Sequence, residues 1–214
     1  MEKKDLLKDV IKHIDIKSYN STELIDAMRN MSFTSRDTAR AADILMMMCK
    51  EKECTNILTL AGSTSAAGCM QVYVDMVRNK MIDVVVATGA SIIDMDLFEA
   101  LGFKHYIGEK ENVIADTTLR DLYIDRIYDT YIDEEELQAC DHSTFEIANM
   151  LEARPYSSRE FIYEIGKWLH DGHAVKKDSL IQTCYECGVP IFVPAFSDSS
   201  AGFGIGKHQW ERMQ

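Results

Sequence analysis

The sequence predicts an α/β protein: a parallel sheet with helices on both faces and a helical extension at the N-terminus. Three observations carry this. "CTNILTLAG" and "MIDVVVATGAS" are short apolar runs that end in glycine. The stretch between them has the length that a strand–helix–strand unit needs. Both runs are near-continuously apolar, as strands buried on two sides are.

The elements follow in order. Residues 1–52 read as the helical extension. "YNSTELIDAMRNM" opens with Ser21 or Thr22 as cap candidates, and Leu24, Ile25 and Met28 recur at helical spacing. "SRDTARAADILMMMCKEKE" is a second helix with Ala39, Ala42, Ile44, Leu45 and Met48 on its apolar face. Its Met46–Met48 cluster reads as core filling rather than a ligand site. Residues 53–214 read as one α/β domain. After the first strand, "STSAAGCMQVYVDMVRNK" continues as a helix. After the second, "DMDLFEALG" starts another, with Asp94 and Asp96 at its positive end.

"DRIYDTYIDEEEL" predicts a short strand and a turn into a helix that includes Glu134–Glu136, and "CDHSTFEIANMLE" is helical. In "RPYSSREFIYEIGKWLHDG", Ser157 and Glu160 have capping-box spacing. Phe161, Ile162, Ile165, Trp168 and Leu169 form the apolar face, and Gly172 ends the helix. "KDSLIQTCYECG" is a further helix stopped by Gly188, and "VPIFVPA" a third strand. Internal repeats, low-complexity runs and proline-rich linkers are absent from the sequence.

The 214 residues suffice for a sizeable core, and 46% hydrophobic with 27% charged residues is ordinary for a globular chain. A formal net charge of −12 excludes a general nucleic-acid binder and disfavours an anionic membrane surface. It suits cationic partners such as polyamines or a basic protein, or simple solubility. No apolar run reaches the length of a membrane span, and "MEKKDLLKDVIKHIDIK" lacks the apolar core of a signal peptide. Cys49, Cys54, Cys69, Cys140, Cys184 and Cys187 are scattered, which predicts reduced thiols in a cytoplasm.

Three strand ends carry small or hydroxylated residues: "AGSTSAAG" (61–68), "ATGAS" (87–91) and "SDSSAG" (197–202). Ligands bind outside the carboxyl ends of strands in open parallel sheets, and helix N-termini there offer free N–H donors. A dinucleotide across the three loops is one reading; ordinary loop punctuation is the other. The standard fingerprints fail. "AGSTSAAG" is not G-x-G-x-x-G. In "GFGIGKH", Gly202 and Gly206 have three residues between them where a P-loop has four, and His208 stands where Ser or Thr would hold magnesium. Asp94, Asp96 and Asp198, after strands, can hold ribose hydroxyls or ammonium groups; for Asp94 and Asp96 a helix-terminal charge is an equal reading. "CYEC" lacks a second ligand pair, so Cys184 and Cys187 read as core thiols and no metal is expected. His170 and His173 read as exposed. No triad or Cys–His nucleophile is legible.

The ordered segments resemble one family. "NILTLAGSTSAAGCMQVYVDMVRNKMIDVVVATGASIIDMDLFEALGFKHYIG", "RPYSSREFIYEIGKWL" and "CYECGVPIFVPAFSDSSAGFG" are similar to successive pieces of the deoxyhypusine synthases. The resemblance implies a Rossmann-like fold, NAD as cofactor, and homotetramers in the cytoplasm. It implies aminobutyl transfer from spermidine, or a related polyamine, to a lysine of a translation factor. Gly62, Ser63, Thr64, Ser65 and Ala66 would then line the NAD site, continued by Thr88, Gly89 and Ala90, with Asp198 alongside. Asp94 and Asp96 match the family's acidic pair and would meet substrate, with a one-residue length difference.

Two departures stand out. A substrate-binding aspartate of the family falls at Phe203. The family's nucleophilic lysine lies beyond Gln214, and Lys207 is not its counterpart, so the resemblance implies a C-terminally truncated, incomplete NAD-binding domain with no catalytic residue of its own. Homospermidine-type polyamine synthesis and a non-catalytic partner subunit remain alternatives.

Overall fold

The computed structural model describes residues 2–109 and 113–213. A short helix α1 (Lys3–Leu6) leads into an extended strap that does not form part of a helical unit. The strap lies along the body through three backbone bonds: Ile11 N–H to the His105 carbonyl at 2.9 Å, Ile107 N–H to Asp9 at 2.7 Å, and Ile14 N–H to Gly68 at 2.9 Å. Helices α2 (Thr22–Met28) and α3 (Phe33–Lys50) then pack on each other. Ser21 stands at the α2 cap position, yet the Thr22 N–H is accepted by the Asn20 side chain at 3.0 Å. Only Ala39 of α3 is buried, while Met46 and Met47 are exposed, so the methionine cluster is not core filling.

The parallel sheet is β1 (Ile57–Leu60), β2 (Val84–Ala87) and β6 (Ile191–Phe192), in the order β1-β2-β6. Between β1 and β2 a π-helical stretch, Ser65–Cys69, breaks at Gly68 (φ +96°) before α4 (Met70–Arg78). A Cβ on Gly68 would stand 2.9 Å from the Lys12 carbonyl of the strap, so the strap's close approach requires glycine there. After β2, a second π-helical stretch, Ser91–Leu97, runs into α5 (Phe98–Ala100). Wide turns of this kind recur near functional sites.

A second sheet, antiparallel with order β3-β5-β4, is formed by β3 (His105–Ile107), β4 (Ile124–Ile127) and β5 (Thr130–Asp133). It was not legible as a sheet: the sequence predicts one strand where β4 and β5 form a hairpin, because the Tyr128–Asp129 turn lacks glycine. Helix α6 (Asp116–Asp121) precedes β4, and α7 (Glu134–Met150) follows β5, with Asp133 accepting from the Glu135 N–H at 2.9 Å. Helix α8 (Ser158–Trp168) starts with the predicted box, Glu160 N–H to Ser157 Oγ at 3.2 Å and Ser157 N–H to Glu160 Oε2 at 2.9 Å. Helix α9 (Leu180–Cys187) ends at Gly188 in the left-handed conformation that a C-cap favours. Helix α10 (Ala201–Arg212) closes the described chain.

Helices on both faces of the parallel sheet are not found among the described residues. Leu60, Val85, Ala87 and Ile191 point into a core shared with α4, α8 and α9. The other face is open: Ile57 is 54% and Phe192 40% exposed, with Val84 and Val86 between them half-buried. Apolar residues on both sides of a strand therefore predicted a cover that these residues do not provide. No helix among them is long and apolar enough to cross a membrane.

Two buried carboxylates tie distant elements together. Asp96 is 1% exposed; its oxygens accept the N–H groups of Leu180 at 2.8 Å and Ile181 at 2.7 Å, so it caps α9 rather than its own helix. Glu99 accepts from His13 Nε2 at 2.6 Å and His105 Nδ1 at 2.9 Å and pairs with Lys176. Burial opposes its charge, but the two imidazoles and the ammonium outweigh that and hold its carboxyl below the usual range. The Met70 N–H donates to His13 Nδ1 at 3.2 Å, so this one imidazole joins the strap to both α4 and Glu99.

Two outcomes test this framework. Asp96→Ala leaves two buried N–H groups without acceptors and is expected to cost about 2–4 kcal/mol in denaturant unfolding. Burial raises the Asp96 pKa to about 6, above its unfolded value of 3.8. The stability it contributes is therefore fully present below pH 3.8 and lost as pH rises through about 6. Measured against Asp96→Asn, the wild type should lose ground across that window; a flat difference would contradict it. Gly204→Ala would put a Cβ 2.1 Å from Thr144 Oγ1 and 2.4 Å from the Asp141 carbonyl on α7. Overpacking at such a crossing should cost about 1–3 kcal/mol, read from the same unfolding curves.

Candidate functional site

The carboxyl ends of β1, β2 and β6 open on a crevice of about 560 Å³ lined by Thr59, Leu60, Ala61, Thr88, Gly89 and Asp198, among others. Its floor is set by the parallel register, which aligns Leu60 with Ala87. Beyond it, Thr88 Oγ1 and Ser91 Oγ lie 2.9 Å apart, and Ser91 Oγ donates to the Gly62 carbonyl at 3.2 Å, which joins the first two loops. The third loop is packed on the second so tightly that a Cβ on Gly89 would be 2.6 Å from Ser199 Cβ and Oγ. Gly89 is thus a close-approach glycine, and Gly62 (φ +74°) is a turn glycine.

The crevice brings together only part of the expected set. Thr88, Gly89, Ala90 and Asp198 line it, and Asp198 is exposed. Gly62, Ser63 and Thr64 continue the chain from its edge at Ala61, with Thr64 Oγ1 accepting from Tyr73 OH at 2.7 Å. Ser65 and Ala66 are buried: Ser65 Oγ meets Met95 Sδ at 3.0 Å, so both stand beneath the loop and not in its mouth. Asp96 also faces away, into the start of α9, where its two oxygens are taken by backbone donors rather than left for a substrate. The arrangement can hold a nucleotide: a helix begins at Gly89, whose first N–H groups suit phosphate, and Asp198 can accept from ribose hydroxyls.

A second cleft, also about 560 Å³, is lined by Ser200, Phe203 and Gly204, just after Asp198 in the chain. Asp125, Glu134 and Asp141 supply carboxylates, Phe145 and Phe203 aromatic faces, and Ser200 and Lys207 line the α10 side. Phe203 is 78% exposed, and the Lys207 ammonium sits 4.5 Å above the Phe145 ring. Ser200 is the hinge of this wall. Its N–H and Oγ reach Asp94 Oδ1 at 3.2 and 2.6 Å, and the same Oγ meets Asp141 Oδ1. Burial pushes Asp141 up to about 6, the Ser200 bond opposes this, and the Asp94 charge adds to it. Burial raises Asp94 as well, against its two bonds to Ser200.

Sequence reasoning missed Asp141, Asp125 and Glu134 as cleft residues. Asp141 lies on a long helix with no glycine or strand end to mark it, and only the crossing of α7 by α10 brings it to Ser200. The other motifs resolve simply. Cys184 is buried, which pushes its thiol up, whereas Cys187 is exposed. His170 and His173 are exposed, with His170 Nδ1 3.0 Å from Glu186. His208 sits on α10 against Asn149 at 2.6 Å, away from the crevice. No group of three or more metal-binding side chains occurs among the described residues.

Known proteins agree on one assignment. The deoxyhypusine synthase family model matches residues 23–214. A deoxyhypusine synthase-like protein of Caulobacter vibrioides is 66% identical over 212 residues, 99% of this chain and 57% of that protein. One of Coxiella burnetii is 60% identical over 207 residues, 97% of this chain and 58% of that protein. The chain therefore spans somewhat more than half the length of these relatives. Its fold is shared with a crystal structure of an Entamoeba histolytica protein provisionally named a deoxyhypusine synthase, with a TM-score of 0.61 at 20% identity, over 92% of this chain and 66% of that one. A parallel sheet opening on a crevice, with sequence kinship along nearly the whole chain, leads to one conclusion: this chain belongs to the deoxyhypusine synthase family.

Proposed function

We propose that the chain supplies the cofactor- and amine-binding parts of an NAD-dependent enzyme that moves an aminobutyl group from spermidine to a protein lysine. The supporting observation is the pair of clefts flanking one segment. Asp198 lines the crevice, and Ser200, two residues on, lines the acidic and aromatic cleft. A cofactor and an amine would thus be held by neighbouring residues of the same short stretch.

Bound in the crevice, NAD would accept a hydride from the carbon beside an amine nitrogen. Thr88, Gly89 and Ala90 would hold it with Gly62, Ser63 and Thr64 at the rim, while Ser65 and Ala66 support the loop from below. Asp198 would orient hydroxyl groups. In the neighbouring cleft, Asp94 would act on the amine only through Ser200, to which it is bonded, with the Phe203 and Phe145 rings offering cation–π contact. Asp96 would act on substrate only through the helix it holds. Residues 53–214 would form the cofactor-binding portion, with 1–52 as its N-terminal extension. A homotetramer in the cytoplasm and a lysine-bearing translation factor as acceptor belong to the same proposal. No nucleophile is assigned to these residues.

The aromatic Phe203 favours a second reading, in which a free amine accepts the aminobutyl group and a homospermidine-type polyamine is released. Thermal unfolding and product analysis of the full-length protein separate the outcomes. NAD at about 100 times its dissociation constant should stabilise by about 2.7 kcal/mol, visible as a rise in Tm. Incubation with spermidine and NAD should then leave an aminobutyl group on protein, by mass spectrometry. Free homospermidine would establish the second reading instead. No response to NAD would sink both.

A further inference from the structure

The contacts of Ser200 impose a proton count. Its hydroxyl has one hydrogen, yet Oγ lies within hydrogen-bond distance of two carboxyl groups, Asp94 Oδ1 at 2.6 Å and Asp141 Oδ1. Carboxylates accept and do not donate, so both contacts are hydrogen bonds only if one carboxyl carries a proton. Asp94 Oδ1 also accepts the Ser200 N–H at 3.2 Å, and that second donor favours Asp94 as the ionised partner and Asp141 as the protonated one. The pair forms where α10 crosses α7 at Gly204, and Asp141 also lines the cleft.

The other charged or titratable groups here are Asp125 on β4, Glu134 and His142 on α7, Lys207 on α10, and the buried Cys140 thiol behind Asp141. His142 is engaged with Glu146 at 3.4 Å, and the Lys207 ammonium rests over Phe145. Among the described lining residues, then, no cation touches the Asp94–Ser200–Asp141 bridge.

We propose that Asp141 is the carboxyl that receives an ammonium group in this cleft, and that amine binding expels the proton it shares with Asp94 through Ser200. This rests on the reading of the cleft as an amine site. The exchange balances: a carboxylic acid, a carboxylate and an ammonium become two carboxylates, a bound ammonium and one proton in solvent. Ser200 keeps its own hydrogen, and no bond of the amine changes. The pair is neutralised in part by a proton when the cleft is empty of amine, which spares it the repulsion of two adjacent anions. It specifies a cationic occupant, since a neutral ligand cannot replace that proton.

Isothermal titration of the full-length protein with spermidine, in buffers of different ionisation enthalpy, counts protons directly. With the Asp141 carboxyl near 6, binding should be roughly tenfold weaker at pH 5 than at pH 7 and release about one proton at pH 5. Asp141→Asn, nearly isosteric, should weaken binding at pH 7 by about tenfold and abolish the release. Wild-type binding without proton release overturns the inference and leaves the amine site standing, and so does undiminished release in Asp141→Asn, which would assign the proton to Asp94 or Asp125, both raised by burial. No spermidine binding at either pH removes the amine site itself. The wild-type proton count is decisive even if the variant fails to fold.

Discussion

Asp96 places a carboxylate where water does not reach, and the helix that accepts it begins 84 residues later in the chain. The first turn of any helix has N–H groups without internal partners. At α9 three of them are satisfied: Leu180 and Ile181 by Asp96, and Gln182 by Ser179 Oγ at 3.2 Å. The arrangement fixes α9 against the segment that follows β2. That matters because β6, which α9 delivers through Gly188, pairs with β2 at only two positions, Val85 with Ile191 and Val86 with Phe192. Two ladder positions hold a strand weakly. The third wall of the crevice is therefore positioned by the Asp96 bonds to α9 together with the core packing of Ile191 and Val193. Burial and bonding pull this group in opposite directions, and the raised pKa shows burial prevailing.

The same logic appears at Glu99, with a different result. Three donors converge on that carboxylate, and its charge is retained against burial. Through His13 it anchors the N-terminal strap, which passes within contact of Gly68 behind the first crevice loop. The loop is thus backed by residues far upstream and is not free-standing. His105, inside this cluster, is 1% exposed with no partner for Nε2 among the described residues, and its ring is held by Glu99 and by packing on Phe98 at 5.1 Å.

Much of this was legible in the sequence for local reasons. β1, β2 and the turn at Gly62 follow from apolar runs that end in glycine; α8 follows from Ser157, Glu160 and a clean apolar stripe. The antiparallel sheet was not legible, since the β4–β5 turn lacks glycine and β3 has no distinguishing pattern. Asp96 shows the limit of local reasoning. A carboxylate early in a helix has a sufficient explanation in its own helix's dipole, yet its partners are Leu180 and Ile181. Ser65 and Ala66 fail for a related cause: small residues after a strand suit both a ligand's approach and close packing, and burial alone separates the two. Asp141 carried no local signal, because it acquires its role only from the crossing of two helices.

The glycine-rich end of the chain makes the same point in reverse. Gly202 and Gly204 invite reading as a phosphate loop, but both lie inside α10. A Cβ on Gly202 would meet the Ser197 carbonyl at 2.5 Å, and one on Gly204 would meet Thr144 and the Asp141 carbonyl. They serve close approach of backbone to backbone, the other reason for glycine in a helix despite its cost of about 1 kcal/mol. Gly206, with open space around its missing side chain, has no such role. The close approach has a chemical consequence. It brings Ser200, at the head of α10, against Asp141 in the middle of α7 while Asp94 reaches the same hydroxyl from the stretch after β2. Any larger residue at 204 would push α10 away from α7 and so pull Ser200 off Asp141. Helix packing therefore makes the Ser200 contact that opposes the rise burial imposes on the Asp141 carboxyl.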